Sequence, residues 1–152
     1  MAAGVFSIHG DGQTVSTAIT ILEVTAPSTG SLELIEAWLG QTGVTSVTMA
    51  RIRILRKATT ITGGASPPSA VPDEGSPAFG GTIKWLATAE GSDGNVERDE
   101  PFNYLNGWRW YPVDVFGRDR IWVPPSGIIA LKFPVAPTSA SFSFGMKVVE
   151  HG

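Results

Sequence analysis

Apolar and polar residues alternate along most of this chain with a period of two, the spacing of a strand that has one covered face. The last segment shows it most plainly. In SASFSFGMKVVE, Phe142, Phe144, Met146 and Val148 fall on one face, and Ser141, Ser143, Gly145, Lys147 and Val149 on the other. In VTSVTMARIRILRK, Thr48, Ala50, Ile52 and Ile54 oppose Val47, Met49, Arg51, Arg53 and Leu55. In SLELIEAWLGQ, Leu32, Leu34 and Trp38 share a face with Glu36, against Glu33, Ile35, Ala37 and Leu39. That segment also fits a helix, but its length and its β-rich setting favour a strand. TAITILEVTA is apolar on both faces, which predicts a strand covered on each side or lying at an interface.

GVFSIHG, TIKWLAT, WRWYPVDV, RIWV and GIIALKFPV supply further strands. Turn signals separate them: Asp11-Gly12, Pro27-Ser28-Thr29-Gly30, Gln41-Thr42-Gly43, Asp93-Gly94, Asn106-Gly107 and Pro124-Pro125-Ser126-Gly127. About eight strands without a convincing helix predict an all-β fold, a two-sheet antiparallel jelly-roll sandwich forming a single domain over residues 1–152. Two long connections interrupt the pattern. Residues 58–81 hold four prolines, five glycines and no Lys or Arg, which predicts an extended surface loop. Residues 89–101 are acidic and predict a charged tip.

Composition narrows the chemistry. With no cysteine there is no disulfide, thiolate metal site or cysteine nucleophile. A net charge of −3 gives no bulk attraction to nucleic acid or an anionic membrane. No apolar run reaches the roughly 18 to 20 residues of a membrane helix. The first residues lack the basic and long apolar regions of a signal peptide.

The two histidines, His9 and His151, lie near opposite chain ends, too few for a cupin-like metal enzyme. No Ser sits in a GxSxG elbow. Asp93, Asn95, Glu97 and Asp99 alternate, yet lack the spacing of a calcium loop and read as a solvated acidic segment. RIRILRK concentrates Arg51, Arg53, Arg56 and Lys57, which suggests a basic outer sheet face able to dock an acidic protein partner.

The stretch YLNGWRWYPVDVFGRDRIWVPP carries three tryptophans, two tyrosines and three arginines. Asn106-Gly107 predicts a two-residue hairpin that pairs Leu105 with Trp108 and Tyr104 with Arg109. Trp108 and Trp110 then share one face and pack inside, while Arg109, Tyr111 and Val113 face outward. The stretch reads mostly as core, with an outer edge toward another subunit.

The succession ITILEVTAPSTGSLELIEAWLGQ, VTMARIRILRKATT, GTIKWLATAEG, WRWYPVDV and RIWVPPSGIIALKFPVAPTSASFSFGMKVVE resembles small jelly-roll structural proteins of tailed bacteriophages. In that group a Glu-containing second strand follows a TAP turn. A strand ending LLR or ILR precedes a long Thr-, Gly- and Pro-rich loop, and a VPP-G turn leads into the last strands. The resemblance runs from Thr17 to Glu150 and implies a head decoration, or capsid cement, protein. It implies no catalytic residue and no cofactor. The protein would be made in the host cytoplasm and sit on the outer surface of the phage head. Its partners would be itself, as a homotrimer, and the major capsid protein, with no nucleic acid and no membrane. A trimer would multiply weak contacts on one lattice. Residues 1–12, with Val5, Phe6 and Ile8, would form an arm that adds a strand to a neighbour. The 58–81 loop, with Phe79, would lie across a partner, and Arg51, Arg53, Arg109 and Tyr111 would complete the docking surface. Because such folds also serve in tails, the alternative is a carbohydrate- or receptor-binding module of a tail fibre or baseplate, stacking sugar on Trp108, Trp110 or Tyr111.

Overall fold

In the computed structural model, which describes residues 4–43, 47–73, 75–113 and 119–152, the alternating segments become strands and no helix forms among the described residues. The strands are β1 (Gly4–Val15), β2 (Thr20–Thr25), β3 (Ser31–Gln41), β4 (Met49–Lys57), β5 (Val71–Pro72), β6 (Thr82–Trp85), β7 (Asp93–Asn103), β8 (Trp108–Trp110), β9 (Ile121–Val123), β10 (Ile128–Lys132) and β11 (Ala140–His151). A six-stranded sheet has the order β5-β1-β11-β3-β8, with β9 also paired to β3. A five-stranded sheet has the order β6-β2-β10-β4-β7. Both β8 and β9 run along β3, so they act as one interrupted strand. Without the short β5 and β6, the connections cross between the sheets everywhere except from β4 to β7. This is the connectivity of an eight-stranded jelly roll.

The two inner faces form the core. Phe142, Phe144, Met146 and Val148 of β11 are wholly buried, as their alternation predicts. They meet Ile52 and Ile54 of β4, Leu22 and Val24 of β2, and Ile129 and Leu131 of β10 in one cluster. Phe102, Tyr104, Phe133 and Phe142 form a run of ring contacts 5.2–6.4 Å between centroids.

Strand β3 departs from the simple alternation. Lys147 pairs with Glu36 and Val148 with Leu34, so Ile35 is an extra residue, a β-bulge. Because the side-chain period is two, one inserted residue exchanges the faces beyond it. Leu32 and Leu34 point inward before the bulge, and Ala37 and Leu39 after it. Trp38, expected beside Leu32 and Leu34, therefore lies on the outer face.

The N-terminal arm is a correction. Its described residues belong to β1, which pairs with β11 of its own chain from Gly4↔Glu150 to Val15↔Ala140. Phe6 and Ile8 are fully buried and only Val5 of that trio is half-buried. Burying a large apolar side chain stabilises by about 1.5–3 kcal/mol, so an arm reaching outward would forfeit two such contributions. Residues 1–3 of the expected arm lie outside the described residues.

The 58–81 segment is the long Pro- and Gly-rich loop expected, with most of its described residues exposed. It does not project freely but packs along one open side of the sandwich: β5, within it, extends the six-stranded sheet at β1, and the strand that follows it, β6, extends the five-stranded sheet at β2. Phe79 packs on Phe6 with ring centroids 5.0 Å apart, and Trp85 reaches Phe144 at 6.4 Å. A proline-rich segment can do this because its few apolar side chains face the uncovered ends of the core.

The Asn106-Gly107 hairpin does not form either, since β7 pairs with β4 and β8 with β3. The turn instead carries the chain from one sheet to the other. Asn103 O accepts from the N–H groups of Asn106 and Gly107 at 3.1 and 3.0 Å, and Asn103 Oδ1 accepts from Leu105 N at 2.8 Å. Gly107 has φ +66°, and a Cβ there would stand 2.9 Å from Leu39 O. Trp108 and Trp110 do face inward. They seal the side opposite the long loop, where Trp108 Nε1 donates to Glu100 Oε2 at 2.6 Å and Arg98 lies 5.7 Å from the Trp110 ring. Of the expected strand over residues 108–115, only β8 forms; residues 111–113 are not strand, and residues 114–118 lie outside the description.

Candidate functional site on the outer sheet faces

The basic strand β4 lies beside the acidic strand β7, and their side chains neutralise each other. Asp99 accepts from Arg51 Nε at 3.1 Å and from Arg53 Nε at 2.9 Å, and Arg56 Nε reaches Glu97 at 2.5 Å. The two arginines hold the Asp99 carboxyl below its usual value against a burial effect that pushes it up. The expected acidic tip is thus largely strand, and the basic docking face on Arg51 and Arg53 is internally paired.

The same sheet carries a buried charge cluster outside the main core. Lys57 is fully buried at its side chain and donates to Glu90 Oε2 and Asp93 Oδ1, both at 2.8 Å, and to Gly91 O at 3.1 Å. Lys132 Nζ lies 2.7 Å from the other Asp93 oxygen, and Thr20 donates to Glu90 through both its N–H and its hydroxyl. Burial works against the Lys57 charge, but the hydrogen bonds and charges of Asp93 and Glu90 outweigh it and raise its pKa. Burial likewise opposes the charges of Glu90 and Asp93, yet their partners hold both below the usual range. Nearby, buried Glu23 accepts from Thr60 Oγ1 and from Ile61 N at 3.1 Å. Leu55 of β4, Ala130 of β10 and Ile61 of the 58–62 segment are buried. The arrangement is a clasp that fixes the 58–62 and 86–93 segments on the sheet.

The outer face of the six-stranded sheet differs. Trp38, turned outward by the Ile35 bulge, lies across Gly145. A Cβ on Gly145 would stand 2.2 Å from Trp38 Cζ2 and 2.6 Å from Cε2. Its half-buried indole borders an open groove of about 430 Å³ together with Gly40, Asn106, Gly107, Arg109 and Ser143. Arg109 is 64% exposed and its Nε stands 3.0 Å from Glu36 Oε1. Ser143 Oγ meets Thr42 Oγ1 at 3.2 Å and also Asp11 Oδ1. Toward the other end of this face, Trp122 stacks on His151 with centroids 5.0 Å apart, and Glu33 contacts His151 Nε2 at 3.1 Å and Arg120 Nη1 at 2.6 Å.

A third surface is apolar. Val47, Met49, Leu105 and Val135 are 68%, 60%, 56% and 63% exposed. They share one end of the sandwich, where Met49 pairs with Asn103 and Tyr104 N donates to Thr48 O. A cleft of about 200 Å³ separates Met49 and Arg51 from Val135, Ala136 and Pro137. Beneath it, Tyr104 OH donates to Thr138 O at 2.9 Å, and burial raises the phenol above its ordinary value.

Of the residues expected at a partner surface, Tyr111 is 58% exposed and Arg109 is exposed, while Phe6, Ile8 and Phe79 belong to internal packing. Trp108 and Trp110 are buried, and Trp108 also lines the groove beside Trp38. Trp38, Met49 and Val135 were not singled out. Gly145, inside an otherwise alternating strand, was the available signal for Trp38, because a strand glycine marks close approach by another group. Among the described residues no group of three or more His, Asp or Glu side chains is placed to hold a metal ion. Compared with family models, curated proteins and solved structures, the chain matches none.

Proposed function

We propose that this protein is a non-enzymatic capsid decoration protein of a tailed bacteriophage, which binds the outside of the coat lattice as an oligomer and braces it. The reading rests on the resemblance from Thr17 to Glu150, and on one observation above the others. Val47, Met49, Leu105 and Val135 expose a contiguous apolar rim at one end of a sandwich whose own core is filled. Exposed apolar surface of this kind marks contact with another protein. With Phe6, Ile8, Phe79 and the paired arginines engaged within the chain, adhesion passes from arm and loop to this rim; Tyr111 and Val113, 58% and 79% exposed, follow β8 along the sheet edge and offer a separate contact.

Light scattering on the purified protein should give an oligomer, and the protein should rebind phage particles that lack it. The double substitution Met49→Glu and Val135→Glu should abolish rebinding. Because both positions are exposed, each costs under about 0.5 kcal/mol of fold stability. A monomeric protein that ignores such particles, or a double variant that binds as well as the parent, overturns the proposal.

A further inference from the structure

We infer that the groove beside Trp38 is a binding site for a neutral hexopyranose at the end of a glycan. A pyranose ring presents a C–H face, which packs on an aromatic plane, and a rim of hydroxyls, which need both donors and acceptors. The groove supplies both. Trp38 has one side against Gly145 and its remaining surface toward the groove. Arg109, whose Nε is held by Glu36 at 3.0 Å, presents a forked guanidinium donor to the groove. Asn106 and Ser143 complete the wall with an amide and a hydroxyl, and Asp11 stands behind Ser143. The volume of about 430 Å³ suits a small ligand. Gly40 and Gly107, which carry no side chain, leave the approach to the indole open.

The charge balance selects the ligand class. Arg109 is matched by Glu36, so the wall is polar without a net positive field, which favours a neutral sugar over a sialylated or sulfated one. The tertiary structure alone assembles this set: Asp11 from the β1 bulge, Trp38 from beyond the β3 bulge, Asn106 from the sheet-crossing turn, Arg109 from β8 and Ser143 from β11. The site goes beyond the decoration reading. It uses a different face from the apolar rim, so its failure leaves that reading intact.

A glycan array of neutral and anionic oligosaccharides, followed by calorimetric titration with lactose and maltose, tests it. Neutral hexose-terminated glycans should bind, with a change in tryptophan fluorescence. Trp38→Ala and Arg109→Ala should each weaken binding about tenfold or more, while Trp122→Ala on the same face should not. Trp38→Phe, which keeps a ring, should bind between the parent and Trp38→Ala, and it decides the matter if Trp38→Ala unfolds. No binding to neutral glycans, binding confined to anionic ones, or binding unchanged in Trp38→Phe and Arg109→Ala overturns the inference.

Discussion

The two sheets treat their outer faces in opposite ways. The five-stranded sheet carries most of the charge that draws the eye in the sequence, and nearly all of it is spent internally. Arg51, Arg53, Arg56 and Lys57 meet Asp99, Glu97, Glu90 and Asp93, and two loop segments lie over the result. The six-stranded sheet carries fewer charges and leaves an indole, an arginine and an amide along a groove. A run of like charges is therefore a poor guide to a binding face when a complementary run lies in the adjacent strand. What distinguishes the six-stranded sheet is not unpaired charge, since Arg109 meets Glu36 there, but an open groove beside an indole.

The sharpest break of this contrast is Lys57→Met. It leaves Glu90 and Asp93 with Lys132 as the cation between them. No buried charge is stranded, because the two carboxylates are 30% and 37% exposed, so the loss is that of the charge-assisted hydrogen bonds of Lys57, about 1.5–3 kcal/mol. Urea titration should show that loss, whereas Arg109→Ala on the opposite face should cost under about 1 kcal/mol.

Next comes Gly145→Ala, which drives a methyl toward Trp38 Cζ2 and to within 2.5 Å of Ile8 O. Overpacking of this kind costs about 1–3 kcal/mol. A thermal melt should report it, with a shifted tryptophan emission as the indole lifts. Glu23→Ala should cost a similar or smaller amount, about 1–3 kcal/mol, by leaving Ile61 N–H without its acceptor. Hydrogen exchange should then speed at Ile61 and its neighbours but not in β11.

The clasp also sets a pH window. Glu90 and Asp93 have folded values below their ordinary 4.5 and 3.8, so their contribution is full above those values and lost as pH falls through the lowered ones. Lys57 sits above its ordinary 10.5, so its contribution is full below that value and lost as pH rises through the raised one. Melting temperature should hold a plateau between these limits as far as these groups govern it, and Lys57→Met should flatten the acid limb. The smallest effect belongs to Asp99→Asn. Its arginine partners are 54% and 33% exposed, so the loss should stay under about 1 kcal/mol and shrink with added salt.

The strands were legible because a one-sided core imposes a period of two on any sequence that forms it, and β11 shows that period without interruption. The turn at 106–107 was legible as a turn but not as a sheet crossing. Asn-Gly fixes local backbone geometry, and only the long-range pairing of β8 with β3 decides where the chain goes next. The candidate groove was mostly hidden, since Trp38 reaches the outer face through a bulge whose evidence is the register against Lys147 and Val148.

Taken alone, the order of residues determined the class of fold, the inward faces of most strands and the inward direction of Trp108 and Trp110, because these follow from local periodicity. The tertiary structure decided which charges pair, how β1 and the long loop pack on this chain, and that Trp38 turns to the outer face. Those outcomes depend on contacts between residues tens of positions apart, as between Lys57 and Asp93 or Trp38 and Gly145, and no local pattern carries them.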